Sequence, residues 1–523
     1  MSTRSLIEDF TTHARRIPDA PALVWQDASI SYSQLHDRAL RVSDRIAAMD
    51  LGHAPVGLLA PKSPDSVALV LGCLLVGCSF VLPSATLAPA TREKLFAQAG
   101  CAAVLSEQDV GEDATCQAAI CQTSVQPALK PDPARVTFML TTSGSTGLPK
   151  VVPLTEGAID RFTDWVGGRF GLRQHSRVFN YSPLNFDLCL LDVWATLKHG
   201  GCVVLVDPDR ATDAGHLHEL LDGNEVELIQ GVPMLFQLLA DAAAKTGGAS
   251  YQSVRDVIIT GDTISAGCLA TVPALFPNAR LHNIYGCTET NDSLIHEIDP
   301  TALPTGKVPL GQPLPGVRTL LVDESGRVVD GAGIGELYVW TPFQAAGYLD
   351  PELDDGRFAE HPRGTDDRPY FRSGDLVHRD ADGTLTLVGR KDFQVKVRGV
   401  RTNIVEVELA IAEHDDVTET VVVAMPDSLA GHLLHAEVRK APGAGLNSLV
   451  LRQFCAERLP RTSIPSTMRI SDDPLARTST GKPDRQLLIR TITERTENGS
   501  HPRDHGVHRP GIPARRRLQR AGH

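Results

Sequence analysis

Short apolar runs alternate with longer helix-length stretches along most of the chain. Residues 202–206, 257–259 and 319–322 form runs rich in β-branched and other apolar side chains, and the apolar stretch 232–244 between two of them has the length of a helix. β-branched residues favour strands, and strands that alternate with helices favour parallel sheets covered by helices. The pattern therefore predicts an α/β fold with ligand-binding loops at the strand ends.

Two later regions depart from this alternation. Residues 309–395 are dense in Gly, Pro and turn pairs such as Asp382-Gly383, which predicts hairpins and a β subdomain. Beyond Asp392 an amphipathic stretch at 406–413 precedes a strand-like run at 418–424, as in a small α+β domain. The sequence thus predicts a large N-terminal domain of helix-covered sheets over residues 1–392, a small domain over 393–490, and a basic tail over 491–523 that is disordered beyond residue 498.

Composition limits the class of protein. The chain has 523 residues, a net charge of -12 and 22% charged residues, which argues against a surface that binds nucleic acid. Its ten cysteines include no Cys-x-x-Cys pair, which favours reduced thiols in a cytoplasmic protein. The apolar run at 67–82 is shorter than a membrane span and is interrupted by Gly72 and Gly77, so we expect a buried helix that leads into a core strand, and no membrane partner.

A Gly/Ser/Thr-rich segment gives the sharpest chemical signal. Thr141-Thr-Ser-Gly-Ser-Thr-Gly-Leu-Pro-Lys150 follows the apolar run 136–140, as a loop follows a strand. Small residues let backbone N–H groups approach phosphate oxygens, and hydroxyls and Lys150 add donors and charge. Pro149 stands where a Walker A loop has Gly-Lys, so this loop is of another kind. The alternative, a surface linker, would not require the preceding core strand or the lysine.

Five further motifs follow this loop in a fixed order. They are Asn283-Ile-Tyr-Gly-Cys-Thr-Glu289, Gly335-Glu-Leu337, Phe371-Arg-Ser-Gly-Asp-Leu376, Gly389-Arg-Lys-Asp-Phe-Gln-Val-Lys-Val-Arg-Gly399 and Thr480-Gly-Lys-Pro-Asp-Arg485. In this order the motifs resemble those of the adenylate-forming enzymes, over nearly the whole chain from Ile30 to Arg485. The resemblance implies a carboxylate activated by ATP and Mg²⁺, and a small C-terminal domain that moves between two half-reactions about a hinge at Asp392.

The resemblance also implies roles for individual residues. The expected phosphate-binding residues are Thr142, Ser143, Gly144, Ser145, Thr146, Gly147 and Lys150. The other expected nucleotide and catalytic residues are Asn283 and Tyr285 at adenine, Asp375 and Arg390 at ribose, Thr288 at the α-phosphate, Glu289 at Mg²⁺, and Lys482 as the catalytic lysine. A carboxylate suits Mg²⁺ because this hard cation prefers oxygen ligands. We expect Glu336 to be structural.

The segment 184–194 indicates which acid is activated. In the amino-acid-activating branch of the family an Asp follows the Phe of this segment and pairs with the substrate ammonium; here it is Asp187. A buried carboxylate needs a partner, and an ammonium supplies one. The alternatives are that Asp187 caps a helix, or that the enzyme is an acyl-CoA synthetase for another acid. The expected pocket residues are Asp187, Leu188, Leu191, Gln230, Ile258, Thr260, Ile284, Asp292 and Ser293.

The segment looks most like that of free-standing prolyl-AMP ligases and, more distantly, of D-alanyl carrier protein ligases. L-proline is therefore the first substrate prediction, but the acid Asp292 departs from that pattern and favours a small polar or basic amino acid. Cys287 and Ala346 also depart from the family, where Pro and Arg are usual. The chain contains no Gly-Gly-x-Ser attachment site, so the expected acceptor is a separate phosphopantetheinylated carrier protein, with CoA as the alternative. A non-catalytic ATP binder is a third possibility, which the retained Lys482 and Glu289 disfavour.

Overall fold

The structure is a computed structural model of the whole chain. It describes residues 5–85, 87–111, 119–120, 135–142, 149–246, 248–354, 356–397, 400–427, 431–459, 461–478 and 481–497. Five of the predicted phosphate-binding residues lie outside the described residues, namely Ser143, Gly144, Ser145, Thr146 and Gly147. The predicted disordered segment 498–523 also lies outside them.

The described residues form an alternating α/β chain with a β-rich section near residue 340. The α-helices are α1 Leu6–Arg16, α2 Tyr32–Ala48, α3 Pro64–Val76, α4 Pro89–Gln98, α5 Glu156–Phe170, α6 Thr196–Lys198, α7 Ala214–Gly223, α8 Pro233–Thr246, α9 Ala266–Leu275, α10 Ile404–Ala412, α11 Ser448–Ala456 and α12 Arg485–Glu497. The strands are β1 Pro21–Trp25, β2 Ala28–Ser31, β3 Val56–Leu59, β4 Phe80–Val81, β5 Ala103–Ser106, β6 Ala119–Ile120, β7 Val136–Thr142, β8 Lys150–Thr155, β9 Arg177–Asn180, β10 Cys202–Leu205, β11 Leu228–Gly231, β12 Asp256–Thr260, β13 Arg280–Cys287, β14 Asn291–Ile298, β15 Gln312–Pro313, β16 Arg318–Val322, β17 Gly333–Trp340, β18 Phe358–Ala359, β19 Tyr370–Arg379, β20 Leu385–Arg390, β21 Gln394–Val397, β22 Val400–Asn403, β23 Val417–Asp427, β24 Gly431–Lys440 and β25 Thr467–Ser471.

Two large sheets make up the core of the N-terminal domain. Among the described residues, one sheet has the order β15-β14-β13-β12-β11-β9-β10-β1-β2 and the other β6-β5-β3-β4-β7-β8. The central strands β9 to β13 run parallel, and β10, β11 and β12 are buried along their whole length. Strands covered on both faces need continuous apolar runs, so the prediction of helix-covered sheets is confirmed.

The apolar run at 67–82 forms a buried helix and a core strand, as predicted. Helix α3 is capped by the Ser63 hydroxyl and ends at Gly77, whose φ of 67° lies in the left-handed region that glycine adopts without steric cost. β4 then pairs with β3 and β7 inside the six-stranded sheet. No helix in the described residues is long and apolar enough to cross a bilayer, and no disulfide joins their cysteines.

Antiparallel strands and a small domain complete the fold. β16, β17, β19, β18 and β20 form the β subdomain, with a turn at Asp380–Gly383 between β19 and β20. A single 3-10 turn, Lys391–Phe393, connects this part to β21 at the junction where the hinge is predicted. In the small domain, β23, β24 and β25 pack against α10 and α11 around their own apolar core. Its last helix, α12, continues past residue 490 to Glu497.

Candidate active site

Four predicted pocket residues lie on one face of three neighbouring strands of the nine-stranded sheet. Gln230 on β11 is paired with Ile258 on β12, and Thr260 on β12 is paired with Ile284 on β13. Side chains that are paired across strands, or two apart along one strand, point to the same face. All four are almost fully buried, so they form the floor of a site at the sheet edge to which parallel strands direct their carboxyl ends.

Asp187 lies in the segment that follows β9 and is half-buried. Its Oδ1 accepts the backbone N–H of Leu188 at 3.0 Å, and its Oδ2 accepts the Thr288 hydroxyl at 2.9 Å. Burial raises the pKa of the Asp187 carboxyl, whereas the Thr288 hydrogen bond and the charge of Lys482 oppose the rise. The π-helical turn downstream, Leu190–Ala195, begins without a side-chain cap, so Asp187 is not its N-cap.

A second acid, Asp292, stands beside Asp187. It lies on β14 opposite Gly286, where a Cβ would come within 2.9 Å of the Asp292 Cα, so a glycine is needed for the two strands to approach. The Asp292 Oδ2 is buried without a hydrogen-bond partner. Burial raises the pKa of Asp292 to about 8, and the neighbouring charge of Asp187 adds to the rise. An acid in this condition favours a partner that donates a hydrogen bond or carries positive charge.

The predicted nucleotide residues lie together at the border between β13 and the β subdomain. The Tyr285 hydroxyl donates to Asp375 Oδ2 at 2.5 Å, and the Arg390 guanidinium donates to Asp375 Oδ1 at 2.8 Å. Burial, together with the negative charge of Asp375, raises the pKa of the Tyr285 hydroxyl. The amide of Asn283 donates to the Pro309 carbonyl at 2.7 Å, which leaves its oxygen to accept a hydrogen bond.

Glu289 is held by a tyrosine that the motifs did not assign. The Tyr348 hydroxyl donates to Glu289 Oε1 at 2.6 Å, and the Lys150 ammonium lies 4.5 Å from the centre of the Tyr348 ring. The predicted metal-binding carboxylate and the lysine at the end of the phosphate loop thus contact the same side chain. No cluster of three His, Cys, Asp or Glu side chains in the described residues could hold an ion by itself. Glu289 suits Mg²⁺ that is shared with phosphate oxygens.

Lys482 reaches the site from the small domain. Its side chain is exposed to solvent, yet its charge opposes the rise in the pKa of the Asp187 carboxyl, so the two groups lie near each other. A Cβ on the preceding Gly481 would lie 3.4 Å from a methyl group of Val232 and 3.5 Å from the end of Met234, both at the start of α8. Gly481, directly before Lys482, therefore lies against the large domain at Val232 and Met234.

A buried polar cluster supports the segment that carries Asp187. The Lys62 ammonium, 6% exposed, donates to the carbonyls of Asn180 at 3.2 Å and Tyr181 at 2.9 Å. The Asn180 amide donates to Asp192 Oδ2 at 3.0 Å and to the Ser182 carbonyl at 3.2 Å. Burial lowers the pKa of Lys62 to about 8 and raises the pKa of Asp192 to about 7. Hydrogen bonds from Lys62 and Asn180 thus hold the segment both before Asp187, at residues 180–182, and after it, at Asp192.

The remaining predicted pocket residues have distinct places. Leu191 is buried in the π-helical turn, and the backbone carbonyl of Leu188 accepts the Gln230 amide at 2.9 Å, which ties the Asp187 segment to β11. Ser293 is fully buried, and its hydroxyl donates to the Asn291 carbonyl at 3.0 Å. Glu336 accepts Arg372 and Lys391, both at 3.1 Å, in keeping with the structural role we expected.

The motif reading missed three groups around the site. Tyr348 belongs to a Gly-Tyr-Leu segment in which only the preceding Ala346 was noted as a departure from the family. Arg477 lies just before the Lys482 loop. Lys62 gave no signal, because nothing in its neighbourhood of the sequence indicates burial beside a segment more than one hundred residues away.

Comparison with known proteins identifies the family. Residues 10–349 match the family described as "AMP-binding enzyme", and residues 406–482 match "AMP-binding enzyme C-terminal domain". The chain belongs to the AMP-binding enzymes. It is thus an adenylate-forming enzyme, and its ordered motifs are confirmed as those of this superfamily.

Relatives of this adenylate-forming enzyme include nonribosomal peptide synthetases. The chain is 31% identical over 528 residues to phenyloxazoline synthase MbtB of Mycobacterium tuberculosis, covering 96% of this chain and 36% of that protein. It is 29% identical over 501 residues to surfactin synthase subunit 1 of Bacillus subtilis, covering 92% of this chain and 14% of that protein. The chain therefore spans less than half the length of these curated relatives.

Solved structures share the fold of this adenylate-forming enzyme. IdnL7 superimposes with a TM-score of 0.77 at 25% identity and covers 94% of this chain and 99% of its own. Klebsiella oxytoca NpsA in complex with 3-hydroxyanthranilyl-AMSN superimposes with a TM-score of 0.76 at 22% identity, covering 94% and 99% of the two chains. The prediction of a large N-terminal domain and a smaller C-terminal domain is confirmed.

Proposed function

We propose that this enzyme activates an amino acid with ATP, releases pyrophosphate, and passes the aminoacyl group from the adenylate to the phosphopantetheine thiol of a separate carrier protein. The observation that carries the proposal is Asp187, a desolvated carboxylate that faces the Lys482 charge and lies beside the buried strand floor. Such a carboxylate matches the ammonium of an amino acid, because an ion pair with the ammonium would offset the free-energy cost of removing the carboxylate from water. The carboxylate of the same substrate would then lie toward Lys482 and Thr288.

Charge neutralisation explains the adenylation step. The substrate carboxylate must attack the α-phosphate of ATP although both are anions, so catalysis depends on positioning and on positive charge at the point of attack. Lys482 would supply that charge, and Thr288 would donate to the α-phosphate in place of Asp187. Asp375, already paired with Arg390, would accept the ribose hydroxyls. Glu289 would hold Mg²⁺, which neutralises the phosphate oxygens when bound.

The acceptor step requires the small domain to change its position. In the arrangement described here, Gly481, in the loop directly before Lys482, lies against Val232 and Met234 of the large domain. A thiol could approach the adenylate only when this loop withdraws, which accords with a rotation about the junction at Lys391–Phe393. The carrier, rather than CoA, is proposed because peptide synthetases are among the relatives.

The unpartnered Asp292 oxygen bears on the choice between the two substrate predictions. The ring of L-proline would leave the Asp292 carboxyl unsatisfied, whereas a side chain with a hydroxyl or an amine would give it a partner. The pocket therefore favours a small polar or basic amino acid over L-proline. An amine would bind best where the Asp292 carboxyl can release its proton, since a carboxylate pairs more strongly than a neutral acid.

Amino-acid-dependent ATP–pyrophosphate exchange tests the proposal. The set would contain the proteinogenic amino acids with D-alanine, hydroxyproline and ornithine, and we expect exchange with one or a few amino acids. Asp187→Ala should reduce that exchange by about 100-fold or more, since a buried charge loses its counter-ion. Asp222→Asn, at an exposed position on α7, is the matched control and should leave exchange unchanged.

Two results would contradict the proposal. Undiminished exchange in the Asp187→Ala variant would show that this carboxylate does not bind the substrate. Absence of exchange with every amino acid, together with exchange driven by an acid that lacks an amino group, would identify an acyl-CoA synthetase instead.

A further inference from the structure

We propose that Arg477, held by Glu419, is a positioning residue that fixes the loop of Lys482 in its adenylation-competent shape. This inference rests on the proposed function, because it concerns the lysine that would neutralise charge during adenylation. The hydrogen bonds on which the proposal rests all lie within the small domain. Their effect would be exerted entirely through the backbone of the loop.

The loop closes on itself through a short ladder of hydrogen bonds. The Thr478 N–H donates to the Lys482 carbonyl at 2.8 Å, and the Gly481 N–H donates to the Thr478 carbonyl at 3.0 Å. Arg477 and Pro483 form an isolated antiparallel bridge at the base of the loop. Because Gly481 has a φ of 78°, the turn reverses the chain directly before Lys482. The direction of the Lys482 side chain therefore depends on this turn.

Arg477 links Gly481 in the loop to Glu419 in the sheet of the small domain. One guanidinium nitrogen, Nη1, donates to the Gly481 carbonyl at 2.6 Å. The other, Nη2, donates to Glu419 Oε2 on β23. The two bonds leave the guanidinium in different directions, so the planar fork of arginine serves both the loop and the strand. A single ammonium at this position cannot span both acceptors in the same way.

Glu419 is itself fixed, which makes the anchor rigid. Its Oε1 accepts Arg439 Nη1 at 2.9 Å, so the carboxylate bridges two arginines across the β23–β24 ladder. The Glu419 and Arg477 side chains are only 14% and 20% exposed, and such charge-assisted bonds are less weakened by solvent than those at the surface. The loop is thus anchored to the β23–β24 pair of the small domain.

The same arginine lies at the boundary between the two domains. Burial raises the pKa of Tyr181 to about 12, and the nearby charge of Arg477 opposes the rise. Tyr181 opens the segment that carries Asp187, and its carbonyl accepts Lys62. Arg477 therefore lies close to the segment that carries Asp187, so a displacement of the Lys482 loop would alter the adenylation site. Its hydrogen bonds to Gly481 and Glu419 lie within the small domain.

Measuring the two half-reactions separately tests this role. Arg477→Lys keeps the positive charge but loses the fork, and a loop displaced by about 1 Å can lower a rate by about 100-fold. We expect kcat for ATP–pyrophosphate exchange to fall by about 10- to 100-fold, with KM for ATP and for the amino acid changed by less than about 3-fold. Transfer from a synthetic aminoacyl-adenylate to free pantetheine, which does not need Lys482, should change by less than about 2-fold.

Three further variants separate positioning from a general structural effect. Glu419→Gln should reproduce the exchange defect, and the double variant should be no slower than the single ones, since both act through one contact. Arg469→Lys is the matched control, because Arg469 pairs with Glu437 at 3.1 Å in the same sheet but away from the loop. It should leave both half-reactions unchanged.

The possible outcomes are distinct. Normal exchange in Arg477→Lys, or an equal loss of exchange and transfer, would overturn the positioning role. The proposed function would fail separately, if Lys482→Ala kept full exchange or if no amino acid supported exchange in the unaltered enzyme.

Discussion

Two carboxyl groups share the pocket, and their surroundings give them different protonation behaviour. Asp187 accepts two hydrogen bonds and faces Lys482, which favour its charged form, whereas the buried Asp292 Oδ2 has no partner and is repelled by Asp187. Burial raises the pKa of both carboxyls, but only Asp187 has contacts that oppose the rise, so Asp292 is expected to carry a proton at neutral pH. A substrate amine that enters the pocket would reverse this state at Asp292, and its binding would release a proton.

The pKa of Asp292 predicts how stability depends on pH. The carboxyl ionises near its ordinary value in the unfolded chain but only at a pKa of about 8 in the native enzyme. The unfolded chain therefore binds fewer protons between these two values, so the native state loses stability as the pH rises towards 8. Asp292→Asn removes this loss. We expect its free energy of unfolding relative to the unaltered enzyme to rise by about 4 kcal/mol between pH 5 and pH 8.5, as measured by urea unfolding.

An exposed aspartate provides the control for this measurement. Asp213 caps α7, and hydrogen bonds from Arg210 and the His216 backbone lower its pKa below the ordinary value. Both its native and unfolded forms are ionised above pH 5, so the effect of Asp213→Asn on stability should be constant between pH 5 and pH 8.5. A constant difference for Asp292→Asn as well would mean that Asp292 is ionised in the native enzyme.

At the scale of elements, the turn between β9 and the π-helical turn depends on a lysine from a distant part of the chain. Lys62 follows β3 in the six-stranded sheet, yet it donates to the carbonyls of Asn180 and Tyr181 in the nine-stranded sheet. The contact therefore joins the two sheets directly beneath the Asp187 segment. π-helical turns occur often at functional sites, and here one follows the segment that the lysine holds.

Removing this lysine should weaken both the fold and the site. Lys62→Met fills a similar volume but removes the lysine donor from the buried Tyr181 carbonyl, whereas the Asn180 carbonyl keeps the Val206 N–H. We expect the free energy of unfolding to fall by about 1–3 kcal/mol. Lys245→Met, at an exposed position near the end of α8, should change it by less than about 0.5 kcal/mol. Urea unfolding of the two variants measures the difference. Equal stabilities would show that the Lys62 contacts do not hold the two sheets together.

The pattern of apolar residues predicted the helices and strands well, because a buried element needs apolar side chains at a characteristic spacing within its own sequence. The run at 136–140 became β7, and the stretch at 232–244 became α8, since each needed only its own periodicity and length. Contacts between distant residues carry no such signal. The motifs located Tyr285 and Asp375, but the hydrogen bond between their side chains joins residues far apart in sequence and depends on how β13 meets the β subdomain. The Tyr348–Glu289 and Arg477–Glu419 contacts could not be predicted from the sequence for the same reason, since each joins residues that are far apart along the chain.

At the scale of the whole molecule, the site is assembled from both domains. The large domain supplies Asp187 and the strand floor, and the small domain supplies Lys482 on a loop that rests on Val232 and Met234. Electrostatic contact across the junction extends further: burial raises the pKa of Glu408 in the small domain to about 7, and the negative charge of Asp262 in the large domain adds to the rise. A junction of this kind can separate and reform during a catalytic cycle.

A bound adenylate should therefore hold the two domains together in this arrangement. An aminoacyl sulfamoyl adenosine, made with the amino acid that supports exchange, would place charge between Asp187 and Lys482. We expect it to slow amide hydrogen exchange in two separate segments, residues 181–189 and residues 477–483, by about 10-fold or more, because local opening would then require release of the ligand. Helix α11, which packs against α10 and β25 of the small domain, serves as the internal control and should be unaffected. Protection confined to the large domain would mean that Lys482 does not engage the adenylate in the arrangement described here, and the order of the two half-reactions would then have to be explained without it.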